Sequence, residues 1–213
     1  KRFNMGSLSA KKVLVTGGAG FIGSHTTDIL VSEGASVVVV DNLSTGRKEN
    51  LNPKVKFYRL DVASPQLDEV FAKERPDYVY HFAFNVLVPE SVKDPIMDAQ
   101  SIISSLNVIK NCYEHGIKKI IFSSSGFLYG NSTCRPTDEN QPIELISPYV
   151  ISKNTVENYL RYYNKTFGLP YVILRYAAVY GSRQITGAMA DYIKKLKAGG
   201  QAQIWGDGSK TRD

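Results

Sequence analysis

Val13-Leu14-Val15-Thr16-Gly17-Gly18-Ala19-Gly20-Phe21-Ile22-Gly23 constrains the fold more than any other stretch, because it reads as strand, glycine turn and helix in immediate succession. Two glycine patterns overlap in it: Gly18, Gly20 and Gly23 fit G-x-G-x-x-G, while Gly17, Gly20 and Gly23 fit G-x-x-G-x-x-G. The first glycines permit a tight turn and close approach to a pyrophosphate. Gly23 lets the helix pack on its strand, and the helix N-terminus turns amides and partial positive charge toward phosphates. Such a turn belongs to a βαβ unit and a parallel sheet.

The rest of the chain repeats that unit. Short apolar runs predict strands at Lys12 to Thr16, Ser36 to Val40, Val55 to Arg59, Tyr78 to Phe82, Lys119 to Ser123 and Tyr171 to Arg175. Helical patterns lie between them, at Gly20 to Glu33, Pro65 to Lys73, Ile96 to His115, Pro148 to Phe167 and Ala188 to Ala198. Ser64-Pro65 and Ser147-Pro148 each place a capping hydroxyl before a first-turn proline. Gly34, Gly116 and Gly168 follow helices, where a left-handed residue is expected. The fold class is therefore α/β, a Rossmann-like doubly wound parallel sheet. Residues 1–10 read as a leader, 11–176 as the dinucleotide-binding domain, and 177–213 as the beginning of a small substrate lobe.

Composition excludes several classes. The net charge of +6 is spread over short pairs such as Lys11-Lys12 and Lys194-Lys195, with no basic stripe for nucleic acid. Two cysteines, Cys112 and Cys134, have no metal-type spacing and fit a reducing, cytoplasmic setting. No metal site is expected. No apolar run approaches the roughly 20 residues of a membrane span.

Two further groups carry chemistry. Asp41 closes the second strand, near the roughly 20-residue spacing at which a carboxylate meets an adenosine ribose. It would accept from ribose hydroxyls and repel a 2′-phosphate, favouring NAD over NADP, although Arg47 nearby is of a type that pairs with that phosphate. Asp61-Val62 after the third strand offers a carboxylate for the adenine amine. Tyr149 and Lys153 stand one helical turn apart and share a face. A neighbouring ammonium is expected to lower the phenol's pKa from about 10. A serine from Ser123-Ser124-Ser125 would hold a substrate oxygen while Tyr149 takes its proton, beside a redox cofactor.

In combination these motifs resemble the extended short-chain dehydrogenase/reductase family, specifically NAD-dependent nucleotide-sugar epimerases of the UDP-glucose 4-epimerase type. The likeness is carried by Thr16 to His25, Asp41 to Gly46, His81-Phe82-Ala83, Pro89-Glu90-Ser91, Ser123 to Gly130, Ser147 to Lys153, Leu174-Arg175-Tyr176, Val179-Tyr180-Gly181 and Gly206-Asp207-Gly208. It implies that Gly17, Gly20, Phe21, Ile22, Gly23, Asp41, Asn42, Ser44, Thr45, Gly46, Asp61, Val62, Phe82, Ala83, Phe84, Ser123 and Tyr176 line NAD. Tyr149 would be the base and Lys153 would bind the nicotinamide ribose. Ser125 matches the family's catalytic Ser/Thr, with Ser124 second. Such enzymes oxidise a sugar hydroxyl at C4 to a ketone, turn the sugar and return hydride to its other face.

The resemblance also implies a homodimer through helices near 96–115 and 148–167, with Ile103, Leu106, Val156 and Leu160 as apolar candidates. The chain departs from the family pattern at Phe84, Ser101, Ala178 and Ser182, and in a short segment Gln184 to Gly187. It also lacks a long stretch that follows in the family and builds much of the sugar-nucleotide site. Alternatives of other classes are a related dehydratase or reductase, and a dinucleotide-binding module without catalysis. Gly126-Phe127 after the serines carry none of the acid–base pair that dehydration needs.

Overall fold

The computed structural model describes residues 8–84, 88–130, 136–203 and 207. Expectations placed on residues 1–7, Cys134, Gly206 and Gly208 lie outside them. Six parallel strands form one sheet in the order β3-β2-β1-β4-β5-β6. They are β1 (Lys12–Thr16), β2 (Ser36–Asp41), β3 (Lys56–Arg59), β4 (Tyr78–His81), β5 (Lys119–Ser125) and β6 (Tyr171–Tyr176). The helices are α1 (Phe21–Ser32), α2 (Leu67–Glu74), α3 (Val88–Lys93), α4 (Pro95–Glu114), α5 (Pro148–Phe167) and α6 (Ala188–Lys197).

Side-chain alternation along each strand feeds two layers. Val13, Val15, Val37 and Val39 pack with Leu30 of α1 on one face. Leu14, Val40, Val79, Ile120 and Phe122 pack on the other, against Phe71 of α2, Ile109 of α4, and Val156 and Leu160 of α5. Strands β1 and β2 are covered on both sides, which is why they read as unbroken apolar runs.

Several ends shift by one residue; two boundaries and one helix differ by more, each for a local reason. β5 continues past Ser123 because β6 runs beside it, with Ser124 opposite Arg175 and Ser125 opposite Tyr176. α2 begins at Leu67 rather than Pro65: the Ser64 hydroxyl accepts from the Gln66 amide and closes a turn before the helix starts. Helix α3 was not anticipated; six residues containing Pro89 are too few to show a period. Ser147 does cap α5 through the Val150 amide, and Gly34, Gly116 and Gly168 all take positive φ.

The strand order reverses between β1 and β4, and the crevice at their carboxyl ends is the point where such sheets take ligands. The glycine turn, Asp41 and the serines of β5 all lie at this end of the sheet.

Candidate active site

The glycine turn sits at the crevice. A Cβ on Gly17, whose φ is +69°, would lie 2.6 Å from the Ala83 nitrogen, so the turn abuts the end of β4. A Cβ on Gly23 would lie 2.2 Å from the Gly17 carbonyl oxygen, so the first turn of α1 lies directly on the loop. Gly20, the N-cap, offers no side-chain acceptor, and the first turn carries no acid. By contrast, Asp94 caps α4 and Ser147 caps α5. The amides opening α1 are thus presented to an external anion.

Asp41 is buried and fixed to this turn. Its carboxylate accepts from the Ala19 amide at 2.9 Å and from the Leu43 amide at 2.8 Å. The Ala19 carbonyl accepts from the Arg47 amide and the Asn50 side chain. Gly46 lies so close that a Cβ would meet the Asp41 carboxylate at 3.0 Å. Loop and turn therefore hold each other's shape, with Ser44 and Thr45 exposed above. Each carboxylate oxygen keeps a lone pair for another donor. Asn42 donates to Asp61 at 2.9 Å, and the Val62 carbonyl is held by Asn107 of α4.

A buried chain of hydroxyls braces the crevice from below. Ser105 donates its one hydroxyl hydrogen to the Ser101 carbonyl at 2.7 Å, so toward His81 it accepts. Nε2 of His81 then carries the hydrogen, and Nδ1 accepts from the Thr16 hydroxyl at 2.7 Å. Thr16 in turn accepts from the Ala83 amide. Burial, aided by the Lys153 charge, pushes the His81 pKa down to about 3, so the ring is neutral and the pattern fixed.

At the end of β5 the serines part company. Ser125 is hydrogen-bonded to the Tyr149 phenol, and its hydroxyl oxygen accepts from the Phe127 amide. Ser124 is turned toward α5 and donates to Glu157 at 2.6 Å. The structure brings Ser125 to Tyr149 and does not bring Ser124 there. Glu157, 0% exposed, also accepts from Arg161 and from two nitrogens of Arg175, whose third nitrogen donates to the Tyr129 hydroxyl. Burial pushes the Glu157 carboxyl up, but these donors outweigh it and hold the pKa low.

The expected lowering of the Tyr149 pKa is not found. Burial raises it and the nearby Asp98 charge adds to this, against a smaller pull from Ser125. The reason is where Lys153 points. Its Nζ donates to the Ser123 carbonyl at 2.6 Å and lies 5.8 Å from the Tyr149 ring centre. Burial lowers its own pKa to about 7, against the pull of Asp98 and Glu157.

Asp98, His81 and Glu157 were not singled out as site groups from sequence; only burial shows them. Asp98 accepts from Ser152 at 2.6 Å and Ser91 accepts from the Tyr149 amide, so α3 and α4 also position α5. Among the departures, Ala178 is exposed. Ser182 and Arg183 are tied to α1, through His25 and through an Arg183–Asp28 ion pair of 2.7 Å.

Comparison with known proteins decides the family. The model of the NAD dependent epimerase/dehydratase family matches residues 13–213. The chain belongs to that family. It is 41% identical to a putative UDP-glucose 4-epimerase of Methanocaldococcus jannaschii, over 94% of this chain and 68% of the relative. It is 36% identical to the UDP-glucose 4-epimerase of Mycolicibacterium smegmatis, over 95% of this chain and 68% of that protein. The crystal structure of a Thermotoga maritima UDP-glucose 4-epimerase with UDP-glucose superposes with a TM-score of 0.91 at 42% identity, covering 95% of this chain and 68% of the other. A Thermus thermophilus UDP-glucose 4-epimerase in complex with NAD gives a TM-score of 0.86 at 37% identity, over 89% of this chain and 63% of that one. The chain thus spans about two thirds of these relatives.

Proposed function

We propose that this chain holds NAD and belongs to an enzyme that inverts a UDP-sugar at C4 through a 4-keto intermediate. The observation that carries the reading is the hydrogen bond between Tyr149 and Ser125 at the end of β5, next to a glycine-turn helix without a side-chain cap. The donor set fits the cofactor: the opening amides of α1 suit the pyrophosphate and Asp41 suits the adenosine ribose, with Asn42, Ser44, Thr45, Gly46, Asp61 and Val62 toward the adenine. Phe82, Ala83, Phe84, Ser123 and Tyr176 would flank the nicotinamide end.

NAD, when bound, reversibly accepts the hydride of the sugar carbon. Ser125 holds the sugar oxygen, and Tyr149 takes its proton as the ketone forms and gives it back when the carbon is reduced. Lys153 binds the ribose. Elimination of water is not supported, because Gly126 and Phe127, in the short turn Gly126–Tyr129, bring no further acid or base.

The division into a cofactor unit over 11–176 and a substrate lobe starting at 177 is part of this proposal. It is supported by β6 ending at Tyr176 and by α6 burying none of its residues. So is a homodimer through α4 and α5, on which Ile96 and Ile103 stand 76% and 66% exposed. Val156 and Leu160 of the expected interface are instead in the core. No described helix is long and apolar enough to cross a membrane, and a cytoplasmic setting is proposed with the rest.

Calorimetric titration with NAD and NADP, followed by UDP-glucose, tests the reading. NAD should bind and NADP much more weakly. Binding of neither, or a preference for NADP, would sink it.

A further inference from the structure

Lys153 is 2% exposed, and what covers it is aromatic. Its Nζ lies 3.6 Å from the centre of the Phe84 ring and 4.8 Å from that of Phe122. An ammonium has three donors. The Ser123 carbonyl takes one, and the ring faces attract the remaining charge through their quadrupoles. The two rings are not equivalent. Phe122 is 0% exposed, in the core between β5 and the helices. Phe84 is half-buried, three residues past the end of β4, and meets Tyr149 edge-on at 6.1 Å and 88°. Among the described residues, Phe84 is the partly exposed ring over the amine, so it is the one that can leave.

We propose that Phe84 governs access to Lys153, so that a ligand hydroxyl, such as that of a dinucleotide ribose, meets Nζ only after the ring has turned aside. This rests on the reading of Lys153 as the ribose-binding amine. Displacing the ring gives up its contacts with the ammonium and with Tyr149. The apparent affinity for the dinucleotide is then reduced by the fraction of molecules in which the ring is out. The same ring keeps the amine desolvated between ligands.

The test has two readouts on the 213-residue chain, one of which needs no cofactor. The first is reductive methylation of lysines with formaldehyde, followed by peptide mass spectrometry. Lys153 should be nearly inert in the wild type and react about tenfold faster in Phe84→Ala, with Lys118 on the surface unchanged. The second is NAD titration. Phe84→Ala should bind about tenfold more tightly than wild type, and Phe84→Leu, which covers the amine without a ring face, about threefold. Should Phe84→Ala not fold, Phe84→Leu decides by the same two readouts.

Equal methylation of Lys153 in wild type and variant overturns the proposal whatever NAD does. Faster methylation with weaker NAD binding also overturns it, since the ring would then hold the cofactor more than it bars it. Faster methylation with no NAD binding to any form shows instead that the dinucleotide reading is at fault, and the ribose role falls with it.

Discussion

The two ends of this sheet treat buried charge in opposite ways. At the amino ends of the strands, Glu74 of α2 is buried but meets Lys12 at 3.3 Å, Lys56 at 2.5 Å and the Tyr58 hydroxyl. Beside it, Asp77 pairs with Lys118 at 2.6 Å and accepts from the Lys12 amide. These cations are surface side chains reaching in, and each carboxylate is answered directly. At the carboxyl ends, Lys153 is buried with a carbonyl and three rings for partners, while the carboxylates that act on it, Asp98 and Glu157, are engaged elsewhere. One end is a set of latches; the other holds a cation against its preference, as a site built to receive a polar ligand would.

The largest effect is expected from Glu157, buried at the carboxyl end among Ser124, Arg161 and Arg175. Glu157→Ala leaves Arg175, only 15% exposed, without its partner, and frees Ser124 and Arg161. Removing one side of a buried pair costs about 3–5 kcal/mol, so the urea midpoint should fall sharply. A loss below about 1 kcal/mol would show that this network is as dispensable as a surface pair.

That network also marks the limit of what the sequence makes legible. Strands and long helices could be read because burial on two faces writes itself as valine runs, and because caps such as Ser147-Pro148 are local. Tyr149, Lys153 and Asp41 stood out through spacing. Glu157, His81 and Asp98 did not, because their partners Ser124, Ser105 and Ser152 lie 33, 24 and 54 residues away in sequence. Nor did spacing show that Lys153 points at Phe84 rather than at the phenol. Tyr149 and Lys153 share a helix face, yet a side chain with four rotatable carbons ends where burial and donors place it.

pH separates the two ends next. Lys153 has a folded pKa of about 7 against 10.5 when free, so between these values the unfolded chain binds the extra proton. Stability contributed by this site therefore rises with pH across that window, by something on the order of 5 kcal/mol. Lys153→Met should flatten the rise; an unchanged slope would mean the amine is solvated. Glu74, held down to about 2 by Lys56, Tyr58 and Lys12 despite its burial, works at the acid side. Its stabilisation is present above about 4.5 and is lost as pH falls toward 2, by roughly 2 kcal/mol. Glu74→Gln should remove that part of the acid transition alone. The part contributed by His81, from about 6.5 down to 3, should remain.

The smallest effect sharpens the contrast most. Lys118 pairs with Asp77 at 2.6 Å but is 56% exposed, and the hydrogen bond to Asp77 raises its pKa. A raised lysine stabilises below its free value and loses that contribution as pH climbs through the folded one, the reverse of Lys153. Lys118→Ala should therefore shift the urea midpoint only slightly at neutral pH, by an amount that salt diminishes. Chemical unfolding at neutral pH, at low and at high salt, measures it. A midpoint shift as large as that of Glu157→Ala, insensitive to salt, would place Lys118 among the buried charges and erase the distinction between the ends. A small, screened cost would leave Lys153 as a cation whose burial serves something other than the stability of the fold.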